Sequence, residues 1–195
     1  MEIEYHPFDP FLPENACVLF LGSFPPQRKR WSMEFYYPNW INDYWRILGL
    51  VFFGDKEHFV LSGQKRFDLD EIRRFCMEKG IALFDTATAV RRLRDNASDA
   101  FLEVVIPTDL PALLSRIPHC HAVVTTGQKA TDVLVETFGC KEPPLGGSVP
   151  VSISGRELEF FRMPSTSRAY PLPLEKKAAA YRSLFGALGL LGSGF

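Results

Sequence analysis

The sequence predicts an α/β fold, a three-layer α/β/α sandwich around a mostly parallel sheet of about four strands. Short apolar runs without charged residues indicate buried strands, and segments with helix start and stop signals lie between them. This alternation favours a parallel sheet with helices on both faces. At 195 residues, with no internal repeat or linker, the chain is expected to form one domain, 1–195, with its core at about 17–188 and flexible ends.

The predicted strands are short apolar runs. They are residues 17–21, 81–84 and 121–125, followed by the two halves of a hairpin, 151–154 and 157–162. In a largely parallel sheet, ligands bind in the crevice beyond the carboxyl ends of the strands. The segments that follow these strands are therefore the first place to look for a functional site.

The predicted helices are marked by their capping residues. They span residues 42–53, 68–79, 108–116, 127–138 and 174–188. Asn42 or Asp43 is available to cap the first helix, because a short side-chain oxygen can accept a hydrogen bond from a free N–H group of the first turn. Gly80 and Gly139 follow the second and fourth helices, where glycine adopts the left-handed conformation that ends a helix.

Charge does not separate the possible classes of function. The formal net charge is −1, so no overall positive field indicates a nucleic-acid partner. The basic residues are clustered locally, in Arg28-Lys29-Arg30, in Arg91-Arg92 with Arg94, and in Lys176-Lys177. Such clusters are usually solvated surface, but a protein that contacts only a few phosphates needs no more than this.

Metal and membrane sites are not expected. The four cysteines, at 17, 76, 120 and 140, form no C-x-x-C pair, so the sequence predicts neither a zinc nor an iron–sulfur centre. In His119-Cys120-His121, strand alternation places both histidines on one face and Cys120 inward, and we predict no metal there. The charged amino terminus resembles no signal segment, and no run is long enough to span a membrane. Free thiols without a signal segment predict a cytoplasmic location.

The predicted strand ends share an unusual composition. Each is followed by a segment that combines Gly or Pro with short hydroxyl side chains: Gly22-Ser23-Phe24-Pro25-Pro26, Asp85-Thr86-Ala87-Thr88, Thr126-Gly127-Gln128-Lys129 and Met163-Pro164-Ser165-Thr166-Ser167-Arg168. Any one of them alone is best explained as an ordinary turn. Four at one edge of a sheet favour a site for phosphate or for a polar ring.

An aromatic segment, residues 35–45, follows the first of these loops. Tyr44 and Trp45, on the predicted helix, are assigned to the core. Tyr36 and Tyr37 precede the helix and are candidates for stacking on a flat ring, with simple packing as the alternative. We expect Tyr37 to act through its ring face, so that a Phe at this position is nearly silent.

Four of these segments resemble, in order, motifs of the uracil-DNA glycosylase superfamily. Residues 18–25 are similar to its first motif, and residues 36–47 resemble its hypoxanthine-DNA glycosylase and mismatch-specific branches. Residues 80–85 resemble the strand that recognises the base, and residues 164–167 the loop that enters the minor groove. The resemblance extends from about residue 17 to residue 185.

The resemblance implies a three-layer sandwich, needs no metal or organic cofactor, and makes DNA with a damaged base the partner. It implies that the flipped base is held by Gly22, Ser23, Phe24, Tyr37 and Asp85, with Tyr37 stacked on the ring and Asp85 at its edge. It also implies that DNA is gripped, and the base helped out of the stack, by Pro164, Ser165, Thr166, Ser167 and Arg168.

Two residues depart from the common superfamily pattern. Phe24 stands where many members have Asp or Asn, and Met163 where many have His or Asn. The hypoxanthine branch shares both features and uses an Asn that matches Asn42. An amide is a poor base, but it can orient a water molecule toward an electron-poor sugar carbon. Asn42 has the alternative interpretation of a plain helix cap, and Asp85 that of a turn cap.

The sequence therefore predicts a monofunctional DNA glycosylase that acts on deaminated bases, hypoxanthine or uracil. An ionised Asp85 only accepts hydrogen bonds, which suits the N1–H of hypoxanthine, whereas a protonated Asp85 would also admit uracil. A catalytically silent nucleic-acid-binding relative is one alternative, because of Phe24. A doubly wound enzyme acting on small nucleotides is another, with residues 165–167 at the phosphate, although the sequence has neither a P-loop nor a G-x-G-x-x-G motif.

Overall fold

A computed structural model describes residues 2–93 and 101–192, so Arg94 and the end of the glycine-rich tail lie outside the described residues. The strands are β1 (Ile3–Tyr5), β2 (Val18–Gly22), β3 (Ile81–Asp85), β4 (Ala87–Arg92), β5 (Leu102–Pro107), β6 (Ala122–Thr125), β7 (Ser148–Ile153) and β8 (Arg156–Arg162). The α-helices are α1 (Tyr44–Phe53), α2 (Leu69–Lys79), α3 (Leu110–Ser115), α4 (Gln128–Phe138) and α5 (Leu174–Ala187).

The central sheet has the strand order β3-β2-β6-β8-β7. The first four strands are parallel, and β7 pairs with β8 in the antiparallel direction as the far arm of the predicted hairpin. Every residue of β2, β3 and β6 is buried, which explains why these strands are continuous apolar runs. The predicted fold class is confirmed, with a hairpin arm added at the edge of four parallel strands.

Helices cover both faces because successive connections cross the sheet in opposite directions. From β2 the chain moves to the neighbouring strand β3 on one side, whereas from β6 it moves to β8, away from β2 on the other side. Right-handed crossovers then place α2 and α4 on opposite faces. Helix α5 packs against α1. The carboxyl ends of β2, β3, β6 and β8 lie together at one edge, with the reversal between β2 and β6, the position where sheets of this kind bind ligands.

The helix ends follow the capping residues of the sequence. Asp68 accepts a hydrogen bond from Glu71 N–H at the start of α2, and Asp109 accepts one from Ala112 N–H at the start of α3. Gly80 and Gly139 end α2 and α4 with φ angles of 65° and 61°. Both values lie in the left-handed region that glycine adopts at low cost.

A second sheet, of order β1-β4-β5, is absent from the sequence-based prediction. Its strands are antiparallel, and β4 begins at Ala87, inside the segment that was predicted to be a loop. Strand β1 pairs with β4, so the amino-terminal residues before position 17 are part of the folded structure. The sequence-based prediction lacks β1 because its three residues are too few to show an alternating pattern.

Cys120 and the histidines on either side of it have the burial that the alternation predicts, inward for Cys120 and outward for His119 and His121. Cys120 is buried, and both neighbouring histidines are exposed. Burial raises the pKa of the Cys120 thiol to about 11.

Among the described residues, no helix is both long enough and apolar enough to cross a membrane.

Candidate active site

A cavity of about 840 Å³ opens at the carboxyl edge of the parallel strands. This volume is in the range of pockets that hold small organic ligands. Ten of the eleven residues predicted for the site line it: Gly22, Ser23, Phe24, Tyr37, Asn42, Asp85, Ser165, Thr166, Ser167 and Arg168. The remaining one, Pro164, is buried beneath the cavity and its carbonyl accepts a hydrogen bond from Tyr181 Oη at 3.0 Å.

Gly22 and Asp85 end neighbouring strands and are in register with each other. A Cβ atom at Gly22 would lie 2.5 Å from Asp85 Oδ1 and 3.7 Å from Tyr37 Oη. Any side chain at position 22 would therefore displace the carboxylate. The glycine is required at this position by the close approach of Asp85, which is 6% exposed.

Tyr37 is held on one face by Tyr44, with ring centroids 3.8 Å apart and planes inclined by 11°. Its hydroxyl shares a hydrogen bond of 2.9 Å with Thr126 Oγ1, so the expectation that a Phe would be silent overlooked this contact. Its φ of 52° lies in the left-handed region, which costs a non-glycine residue on the order of 1–3 kcal/mol. Tyr36, the other candidate, belongs to the core: it is 2% exposed and donates its hydroxyl hydrogen to the Asp9 carbonyl.

Phe24 forms a wall of the cavity and packs with residues of the second sheet. Its neighbours there are Ala87, Val90 and Leu102. Its ring can exclude water but cannot donate or accept a proton. Met163 also lines the cavity, at 1% exposure, and is equally unable to act in proton transfer.

Asn42 lies between the cavity and helix α1. Its Oδ1 accepts a hydrogen bond of 2.9 Å from the Tyr44 N–H, so the side chain caps the helix although Asp43 occupies the cap position. An amide oxygen has two lone pairs, and one contact leaves the second available to a water molecule. The two interpretations of Asn42 are therefore compatible in this geometry.

The loop at residues 164–168 has two buried and three accessible members. Thr166 is 2% exposed and its carbonyl accepts the Asp43 N–H at 2.9 Å, while Pro164 is buried. Both side chains are buried, and the carbonyls of Thr166 and Pro164 hold the loop to the protein, so a contact of these two side chains with DNA stays a prediction. Ser165, Ser167 and Arg168 remain accessible.

A buried carboxylate connects this loop to α1 and α5. Asp43 Oδ1 lies 2.9 Å from Arg168 Nε, and Asp43 Oδ2 lies 3.1 Å from Lys177 Nζ. Lys177, 1% exposed, also donates to the Ser167 carbonyl at 2.8 Å. We call Asp43, Arg168 and Lys177 the Asp43 ion cluster. Two cations on one carboxylate leave one net positive charge beside the cavity.

The pKa of the Arg46 guanidinium is lowered, first by burial and second by the positive charge of Arg168.

His6 is a site residue that the sequence-based reasoning missed. Its Nε2 lies 2.9 Å from Asp85 Oδ2, and its side chain is only 4% exposed. The residue follows β1, which sets it beside the end of β3 through the pairing of β1 with β4. No motif or spacing marks it, because the contact spans 79 positions of the chain.

Cations are more numerous than acids on the cavity lining. The basic residues there are Arg30, Arg92, Lys129, Arg162 and Arg168, against the acids Asp85 and Asp132. Arg92 is paired with Glu4, and Arg162 is paired with Glu142. Because Arg91 also pairs with Glu103, the Arg91-Arg92 cluster of the sequence makes its ion pairs within the second sheet. Lys129 makes no ion pair with any described residue, which makes it the simplest candidate contact for a phosphate.

Large apolar side chains also lie at the mouth of the cavity. Ile41 and Leu145 both line it, with exposed fractions of 49% and 51%. The loop expected to push the base out of the stack has only Ser, Thr and Arg side chains at 165–168. Apolar contacts at this mouth would therefore come from Ile41 and Leu145.

Comparison with known proteins gives one informative result. No protein-family model and no curated protein sequence matches this chain. Among solved structures, a solution NMR structure from Methanosarcina acetivorans, provisionally named a uracil DNA glycosylase, matches with a TM-score of 0.64 at 21% identity. The match covers 96% of this chain and 99% of that one. Along nearly its whole length, the chain therefore has the fold of that structure.

Proposed function

We propose that this protein is a monofunctional DNA glycosylase of the uracil-DNA glycosylase superfamily, and that it removes a deaminated base, hypoxanthine before uracil, in base-excision repair. The observation that carries the proposal is the Asp85 carboxylate, buried at the strand end of a cavity large enough for a nucleobase. The shared fold and the motif resemblance support the same class of activity.

The preference for hypoxanthine over adenine rests on hydrogen-bond complementarity. Asp85 Oδ2 is already paired with His6 Nε2, so Oδ1, beside Gly22, is the oxygen that a base edge would meet. Hypoxanthine offers its N1–H to this acceptor, and backbone N–H groups around Ser23 and Phe24 would serve O6. Adenine has a bare N1 lone pair, which a carboxylate repels.

The proposed reaction is hydrolysis of the bond between the base and the sugar. A water oxygen bonds to C1′ as the C1′–N bond breaks, the base leaves with the electron pair, and a proton from the water completes the products. Asn42 orients the water through its amide oxygen. Such positioning suffices when the sugar carbon is already cationic in character at the transition state.

Cleavage of defined oligonucleotides tests the proposal. Substrates that contain hypoxanthine, uracil, xanthine or mismatched thymine are incubated with the protein, and abasic sites are then cleaved with alkali. We expect hypoxanthine to be removed fastest, adenine to be left intact, and Asp85→Asn to shift the preference toward uracil, because an amide donates as well as accepts. Efficient removal of uracil at pH 8 without removal of hypoxanthine would contradict the assignment.

A second candidate function rests on Phe24, which stands where many members have a side chain that acts on water. A catalytically silent protein would bind the same oligonucleotides but form no abasic site from any of them. Hydrolysis of free nucleotides, with oligonucleotides untouched, would instead indicate the enzyme of small nucleotides.

A further inference from the structure

His6 is a buried titratable side chain that the proposed reaction does not use. Aromatic rings surround it: Phe8, Phe24, Tyr36 and Phe84 have ring centroids within 4.7 to 6.1 Å of the imidazole. Its own backbone N–H donates to the Thr88 carbonyl of β4 at 2.8 Å. The ring is therefore fixed by packing, and its polar atoms require partners inside this enclosure.

Both ring nitrogens have such partners. Nε2 faces Asp85 Oδ2 at 2.9 Å, and Nδ1 lies 2.9 Å from the Phe8 carbonyl and 3.2 Å from the Phe8 N–H. A neutral ring with its proton on Nε2 donates to Asp85 and accepts from the Phe8 N–H. A doubly protonated ring donates to Asp85 and to the Phe8 carbonyl. In both of these states a proton on Nε2 points at the carboxylate, whereas a ring with its one proton on Nδ1, donated to the Phe8 carbonyl, would require a proton on Asp85.

This arrangement fixes the hydrogen-bonding character of Asp85. Burial among apolar rings disfavours a charged carboxylate, whereas a hydrogen bond donated to it favours the charged form. Other charged or titratable groups near the pair are Tyr36, whose pKa is raised by burial and then by Asp85, and the Glu4–Arg92 ion pair beyond the ring of Phe24. Among the described contacts none of these is hydrogen-bonded to Asp85 Oδ2, which leaves His6 as its side-chain partner.

We propose that His6 is a positioning residue that holds Asp85 as a hydrogen-bond acceptor for the base edge, so that the cavity takes hypoxanthine, which offers N1–H, and rejects adenine, whose N1 is bare. The inference rests on the proposed function and adds to it the residue that determines specificity. Among the described contacts, His6 is the side chain that holds Asp85 Oδ2.

Two substitutions test this role. His6→Phe removes the donor, and we expect removal of hypoxanthine at pH 7 to slow by about tenfold or more, with the acid limb of the rate profile moved to higher pH. His6→Gln places an N–H donor near the position of Nε2 and should restore most of the rate and the profile. The control is His58→Phe, which removes the donor of another histidine–carboxylate pair, with Glu71, that lies outside the cavity lining. An unmoved acid limb in a folded His6→Phe protein would overturn the proposal.

A measurement that does not depend on activity separates this inference from the proposed function. Nitrogen-15 NMR of the imidazole in the intact protein is expected to show Nε2 protonated at pH 7, and its shift should change in Asp85→Asn. A bare Nε2 at neutral pH would mean that Asp85 is the donor, which refutes the role of His6. If the wild type excises no base, the proposed function fails, while this spectrum still decides which partner carries the proton.

Discussion

At the scale of a single residue, Asn42 contributes both to the start of helix α1 and to the cavity lining. Its side-chain oxygen accepts the Tyr44 N–H at the start of α1, and the same residue borders the cavity. Losing a cap costs about 0.5–2 kcal/mol of stability, whereas losing an interaction made only in the transition state lowers the rate. The two effects are therefore separable by measuring unfolding and chemistry on the same variants.

Asn42→Ala is expected to lower the single-turnover rate at least ~10²-fold with little change in DNA binding. It should also lower the free energy of unfolding by about 0.5–2 kcal/mol. Asn42→Asp keeps an acceptor for the Tyr44 N–H and serves as the stability control. A folded Asn42→Ala protein with unchanged chemistry would leave Asn42 as a helix cap only.

Tyr37 combines a ring contact with a hydroxyl contact. Tyr37→Ala should cost roughly 1–3 kcal/mol in engaging the base, because it removes the stacking surface. Tyr37→Phe and Thr126→Val each remove the same hydrogen bond, so each should cost about 1 kcal/mol of stability, and the double variant should cost no more than either. Additive losses in that cycle would show that the two hydroxyl groups act independently.

At the scale of elements, the loop at 164–168 and the start of α1 form one unit. Ser167 pairs with Asn42 in a short antiparallel bridge, and the Asp43 N–H bonds to the Thr166 carbonyl. The Asp43 ion cluster adds charge to these backbone contacts. The segment with the proposed water-positioning amide and the segment with the proposed phosphate contacts are thus held in a fixed relation.

Asp43→Ala tests that connection. It leaves Lys177 buried with a carbonyl as its remaining partner, and the expected loss is about 3–5 kcal/mol in urea unfolding. Lys177→Met should cost less, because Asp43 keeps Arg168. Glu57→Gln is the control, since Glu57 lies 3.9 Å from Arg46 and is 51% exposed, and it should cost no more than about 1 kcal/mol. Equal losses for Asp43→Ala and Glu57→Gln would show that the cluster contributes little.

At the scale of the whole molecule, the charges are distributed unevenly. The net charge is −1, yet basic residues outnumber acidic ones on the cavity lining by five to two. A local excess of this kind attracts phosphates only over about a Debye length, roughly 8–10 Å at ordinary ionic strength. Binding should therefore be steeply salt-dependent even though the protein as a whole is slightly acidic.

Lys129→Ala and Arg168→Ala are each expected to weaken DNA binding for all sequences and to reduce the slope of log K against log salt by about one unit. Arg168 is half-exposed and paired with Asp43 through Nε, so Arg168→Ala should lower the free energy of unfolding more than Lys129→Ala does, while the change in slope should be similar. The control is Lys65→Ala, an exposed lysine outside the cavity lining. A slope equal to that of wild type in the Lys129 variant would place the DNA elsewhere.

The sequence by itself determined the parallel strands, the capped helices and the glycine- and hydroxyl-rich strand ends. These features depend on neighbours a few positions apart: an apolar run for β2, an Asp68 side chain that reaches Glu71 N–H, a glycine that ends a helix. The alternation of strands and helices then fixes where strand ends meet, which is why ten predicted residues line one cavity.

Only the tertiary structure decided which partners these residues have. His6 reaches Asp85 across 79 positions, and Lys177 reaches Asp43 across 134. The amino-terminal strand is held by pairing with β4, and Tyr37 is held by the ring of Tyr44 against one face and by Thr126 at its hydroxyl. Such contacts leave no periodic trace in the sequence, because their energy comes from burial and hydrogen bonding between segments that only the completed fold brings together.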